Sequence, residues 1–146
     1  MSEMTTTVGA VLRQKAGSVL SIAPDASVYD AIEVMAEKGV GALLVMERNE
    51  LLGIVSERDY ARKVILRGRS SNDTPVSQIM TADVITVEPA LTAQSCMQIM
   101  TEKRVRHLPV VDGGRVVGVL SIGDLVRAVL AEQAQTIEQL EHYIHS

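Results

Sequence analysis

The chain carries the pattern Gly-x-x-Ser-x-x-Asp twice, as GIVSERD from Gly53 and GVLSIGD from Gly118. At the start of a helix, a serine followed three residues later by aspartate can cap the free N–H groups, with the glycine relieving a crowded strand before it. The same pattern also suits a ligand. The open end of a helix offers unpaired N–H groups and a partial positive charge, which match a phosphate, and the serine hydroxyl can assist. A carboxylate repels phosphate but accepts two hydrogen bonds, and the vicinal hydroxyls of a ribose supply two donors. Ser56 with Asp59, and Ser121 with Asp124, are therefore candidates for holding a nucleoside phosphate. Capping and binding are not exclusive.

The run KRVRHLPVV from Lys103 places Arg106 and His107 just ahead of an apolar strand. They are candidates for a phosphate, with a solvated strand edge as the alternative. The corresponding residues of the other copy are Gly41 and Ala42, and Arg58 stands where the second copy has Gly123. Two sites built on these copies would be chemically unequal, one of them better suited to a multiply charged phosphate tail. Other candidates carry less. Cys96 falls inside an expected helix and reads as a packing residue. His142 and His145 have metal-like spacing but no third ligand, and read as a solvated tail. No Gly-x-x-x-x-Gly-Lys loop, dinucleotide fingerprint, nucleophile–base set or paired carboxylates point to catalysis, so an enzyme is not expected.

The elements that must position these residues follow from an internal repeat. A shift of 65 residues lays Val19–Ile65 on Val84–Leu130 without a gap, with 13 of 47 pairs identical. Each copy reads strand, helix, strand, strand, helix. In the first, SVLSI is a short strand, Ser27 opens a helix that Gly39 ends, GALLVM and LLGIV are strands, and Ser56 opens a helix closed by Gly68. In the second, VITV, a helix from Thr92, HLPVV, RVVGVL and a helix from Ser121 repeat the order. The expected fold is α/β (α+β): repeat one over 8–68, a polar linker over 69–75, repeat two over 76–131 and a helical extension over 132–146. Each repeat is too small to bury its apolar face well alone, so the two are expected to pack about a pseudo-two-fold axis with related clefts between them. Leu130, Ile137, Leu140 and Ile144 form a coiled-coil-like stripe, either folded back on its own domain or forming a homodimer contact.

Composition limits the partners. The chain has 146 residues, is 47% hydrophobic and 22% charged, and has no Trp or Phe, so its core is aliphatic. A net charge of -4 and the lack of stacking aromatics argue against nucleic acid as the main partner. One cysteine excludes an intramolecular disulfide and fits a reducing compartment. No apolar run approaches the roughly 18 residues of a membrane span. Glu3 stands where a secretory leader would be basic, so a cytoplasmic protein is expected.

The doubled unit ending in GIVSERD and GVLSIGD, with RHLPVV ahead of the second, resembles a tandem CBS domain over about Val8 to Leu130. It is similar to stand-alone bacterial CBS-pair proteins, and SERDYARKVILRGRSS and TEKRVRHLPVV resemble organellar CBS-pair proteins of plants. The resemblance implies a regulatory module, commonly a homodimer, that senses AMP, ADP, ATP, NAD(H) or, with less support, S-adenosylmethionine, and that is read by a downstream protein. It implies that Asp59 and Asp124 hold ribose, with Ser56 and Ser121 as the motif hydroxyls and Arg58 and Gly123 beside them. Arg106 and His107 would hold phosphate in the Asp59 cleft. The base would lie against Val19, Leu20, Val40 and Gly41 in one cleft and against Met80, Thr81, Ile85 and Val105 in the other. Leu44 departs from the family's proline, kept in copy two as Pro109. The alternative is an interaction module, its partner a redox protein, with vestigial or S-adenosylmethionine-binding clefts.

Overall fold

The computed structural model describes residues 5–15 and 19–145, with side chains through His142. Helix α1 spans Val8–Gln14, followed by the two-residue strand β1 (Ser21–Ile22), α2 (Val28–Lys38), β2 (Ala42–Glu47), β3 (Glu50–Ser56) and the single turn α3 (Glu57–Tyr60). After a linker come α4 (Ala93–Lys103), β4 (His107–Asp112), β5 (Arg115–Ser121) and the long α5 (Ile122–His145). The chain forms two compact units, one over Val19–Val84 and one joining the N-terminal segment to Ile85 onward.

In the Val19–Val84 unit, β1 runs parallel to β2 and β2 antiparallel to β3. The amphipathic α2 covers the sheet through Val28, Ala31 and Met35, meeting Leu43, Val45 and Val55 in a core closed by Val64, Val76 and Ile79. Ser27 caps α2 by accepting from the Asp30 N–H, and Gly39 ends it with φ 66°, a left-handed conformation that glycine adopts without strain. The helix opened by Ser56 does not continue as α-helix. It changes at Ala61 to a π-helical stretch, Ala61–Ile65, before Gly68 turns the chain. Residues 74–80 then return to the unit, where Val76 donates to the Ala26 carbonyl and Thr81 forms a two-bond bridge with Ile54.

The second unit repeats this plan with one strand fewer. β4 and β5 pair antiparallel, and the expected VITV strand is reduced to a single parallel bridge, Val87 with Val110. The reason lies in one residue. In the first copy the Leu44 N–H donates to the Leu20 carbonyl, whereas Pro109, at the equivalent position, has no N–H to give.

The N-terminal segment fills the place in this unit that residues 74–80 fill in the other. Val8 donates to the Leu91 carbonyl as Val76 does to Ala26, and Ala93 donates to Thr6 as Val28 does to Thr74. A shift of 68, from Val8 to Val76, relates TTTVGAVL to DTPVSQIM. Val8 and Val11 are buried among Val87, Cys96, Leu108, Leu120 and Leu125. Among the described residues, no helix is long and apolar enough to cross a membrane.

Candidate functional site

Both serine–aspartate motifs sit where a strand becomes a helix. In the first, the Ser56 hydroxyl accepts from the Asp59 N–H at 3.1 Å, while Asp59 Oδ2 accepts from the Ser56 N–H at 3.0 Å and from its hydroxyl at 3.0 Å. In the second, Ser121 Oγ accepts from the Asp124 N–H at 3.2 Å and Asp124 Oδ2 from the Ser121 N–H at 2.8 Å. The capping role is thus directly observed in both copies, and it holds each carboxylate at the mouth of its helix. The next N–H also repeats its partner: Glu57 donates to the Gly41 carbonyl and Ile122 to the Arg106 carbonyl.

The cations around the two carboxylates differ. Asp59 Oδ1 pairs with Lys63 at 3.2 Å, and the same ammonium donates to the Ile79 carbonyl. Asp124, only 7% exposed, accepts from Lys15 Nζ at 2.9 Å and from Arg127 Nη2 at 2.6 Å. Lys15 closes α1 and also donates to the Val119 carbonyl at 2.8 Å. Burial alone would raise the Asp124 carboxyl. The Ser121 N–H, then Lys15, outweigh it and hold the group below its ordinary value. His107 lies opposite Ser121 in the β4–β5 ladder. Burial, then the Lys15 charge, push its imidazole below the usual value, with Arg106 adding to the fall and Asp124 opposing it.

The structure therefore brings Arg106, His107, Ser121, Gly123 and Asp124 together within one unit. Gly123 has room for a side chain there: a Cβ on it would make only ordinary contacts, 3.4 Å from Arg127 Nη1 and 3.7 Å from Ser121 Oγ. In the other unit, Val40 and Gly41 line a cavity of about 310 Å³ with Ile32, Met35, Gly39 and Glu57. Leu20 packs against the core of that unit, where Val19 is half-buried and Arg58 is exposed. Of the four residues grouped for the second base pocket, Met80 and Thr81 belong to the first unit, with the Thr81 carbonyl and Met80 sulfur against Gly53. Ile85 and Val105 belong to the second, at the edge of its core. Pro109 is buried and its carbonyl accepts from Val87.

Lys15 and Lys63 were not among the candidates drawn from the sequence. Lys15 reaches Asp124 across 109 residues, and only the weak likeness of the N-terminal segment to residues 73–80 could have signalled it. Cys96 is buried, which pushes its thiol up to about 11 and leaves it protonated and inert. No cluster of metal-ligating side chains occurs among the described residues, and the His145 side chain lies outside them.

Comparison with known proteins agrees with this architecture. The family model described as CBS domain matches residues 7–66 and 76–131. The chain is similar to the mitochondrial CBS domain-containing protein CBSX3 of Arabidopsis thaliana, 43% identical over 149 residues that cover 96% of this chain and 72% of that protein. Its structure is similar to that of a putative signal-transduction protein with CBS domains from Burkholderia ambifaria MC40-6, with TM-score 0.85 and 53% identity over 88% of this chain and 96% of that one. It is also similar to a CBS domain protein of Pyrobaculum aerophilum complexed with AMP, with TM-score 0.76 and 27% identity over 88% and 98% of the two chains. Two matched segments, each with its own serine–aspartate helix mouth, mean that this chain belongs to the CBS-domain family as a tandem pair.

Proposed function

We propose that this CBS pair is a non-catalytic regulatory module that binds an adenosine nucleotide, with AMP the first candidate and ADP, ATP and NAD(H) close behind, and that it works in the cytoplasm as a homodimer read by a downstream protein. One observation carries the reading: a serine–aspartate pair at the helix mouth of each copy, next to cations. Ribose hydroxyls can replace the ammonium groups that engage Asp59 and Asp124. The displaced Lys15 and Arg127 then supply positive charge to a phosphate, and the N-terminus of α5 adds its own. Arg106 and His107, which the resemblance assigns to the phosphate of the Asp59 motif, flank Ser121 and Ile122 and can serve this motif instead. Neutral His107 can donate a hydrogen bond there without adding charge. The AMP complex of the Pyrobaculum protein supports this class of ligand.

The unequal surroundings of the two carboxylates support unequal affinities. A ligand at one motif that shifts the balance between two arrangements of the chain would give the downstream protein something to read. The test is chemical identification of any small molecule released on denaturing the freshly purified protein, followed by thermal-shift titration with AMP, ADP, ATP, NADH and S-adenosylmethionine. An adenosine nucleotide in the extract, or a saturable rise in melting temperature with one of the first four, is expected. No bound molecule and no shift with any of the five would overturn the reading.

A further inference from the structure

Helix α5 leaves the body of its unit near Glu132, whose carboxylate accepts from the Thr5 N–H at 2.9 Å and the Thr6 hydroxyl at 3.0 Å. From Gln133 to His142 every residue except Thr136 is exposed. A helical segment of that length is marginal in water unless something packs on it. Its apolar side chains are not scattered. Val126, Leu130, Gln133, Ile137 and Leu140 follow one another at steps of four, three, four and three, the seam of a two-stranded coiled coil. Leu130 is 60% exposed, Ile137 56% and Leu140 57%, so their own chain does not cover them, and the fold-back alternative is not what forms.

We infer that this seam packs antiparallel against the same helix of a second copy; the inference rests on the homodimer reading and specifies its interface. The part of the stripe from Leu130 to Leu140 is self-complementary about its middle near residue 135, running about 15 Å at 1.5 Å per residue. Charge decides the direction. Arg127, Ala134 and Glu141 are spaced by seven on one flank of the seam, and Val129 and Thr136 occupy the other. In an antiparallel pair like flanks face each other, so Arg127 meets Glu141 of the second copy at both ends and the two Ala134 residues meet near the two-fold axis. A parallel pair sets each flank against its opposite, which gives Arg127 and Glu141 no charged partner. Arg127 is 72% exposed and donates to Asp124 through one nitrogen, leaving donors for Glu141. In the antiparallel register Leu130 lies against Leu140 and Gln133 against Ile137.

Two single variants of the full chain, Leu130→Cys and Leu140→Cys, are mixed under reducing conditions and then gently oxidised. The exposed positions spare the fold, and buried Cys96 does not compete. Wild-type protein is expected to sediment as a dimer, and the mixture to yield mainly disulfides joining residue 130 of one variant to residue 140 of the other. Ile137→Glu is expected to weaken dimerisation by at least about tenfold. Disulfides joining 130 to 130 and 140 to 140 would overturn the antiparallel direction. A dimer that gives no disulfide and is unaffected by Ile137→Glu would place the interface elsewhere, leaving the homodimer reading intact. A monomer at every concentration would sink both.

Discussion

Replacing Lys15 with methionine tests whether α1 is tied to the second motif by charge as well as by packing. Lys15 Nζ donates at 2.9 Å to a carboxylate that is 7% exposed and at 2.8 Å to the Val119 carbonyl, while the lysine itself is 38% exposed. A hydrogen bond to a charged group is worth roughly 1.5–3 kcal/mol and an open surface ion pair about 0–1 kcal/mol. Partial exposure of Lys15 places the loss between these, at about 1–2 kcal/mol. It stays below the ~3–5 kcal/mol of an orphaned buried charge because Arg127 still engages Oδ1. The apolar anchors Val8 and Val11 remain, so the denaturant slope should not change. Urea unfolding of the wild type, Lys15→Met, Asp124→Asn and the double variant completes a cycle with an expected coupling of about 1 kcal/mol. A neutral Lys15→Met variant with no coupling to Asp124 would refute the electrostatic tie and leave α1 held by packing alone.

The repeat-equivalent glycines should respond differently to alanine. A Cβ at Gly53 would fall 2.6 Å from the Thr81 carbonyl oxygen, which the bridge to Ile54 pins in place, so urea unfolding should show a loss near ~3 kcal/mol. At Gly118 the nearest atom, at 2.7 Å, is a methyl of Leu12 that can rotate away, and the loss should be nearer ~1 kcal/mol. Equal costs would contradict the geometry. Stability should also fall on mild acidification. The unfolded His107 takes up a proton near its ordinary value while the folded one resists, so stability is lost from that value down through the folded pKa, and His107→Gln should flatten this stretch of the pH–stability curve. Asp124, held low when folded, adds a second loss at more acid pH, where its carboxylate finally protonates.

The repeat, the motif pairs and most elements were legible because they depend on local signals: Ser27, Ser56 and Thr92 at helix starts, Gly39 at a helix end, and alternating apolar runs. What escaped depended on contacts far apart in sequence or on a single backbone atom. The lost N–H of Pro109 dissolves a strand that VITV would otherwise form. The π-helical stretch after Tyr60 leaves no mark in the apolar pattern of YARKVILR. The docking of Val8 and Val11 on the second copy, which delivers Lys15 to Asp124, is encoded in a short likeness at a shift of 68, out of register with the 65-residue repeat. The exposed seam on α5 was visible as periodicity, but periodicity alone does not tell a covered face from an open one.

Calorimetric titration of AMP into the wild type and into the Asp59→Asn, Asp124→Asn double variant tests the ligand reading most directly. Asparagine keeps an acceptor for the serine N–H, so the caps survive while the charge that would draw ribose hydroxyls is gone. Saturable binding to the wild type, weakened at least about tenfold in the variant, is the expected result. Undiminished affinity in a folded double variant would contradict it.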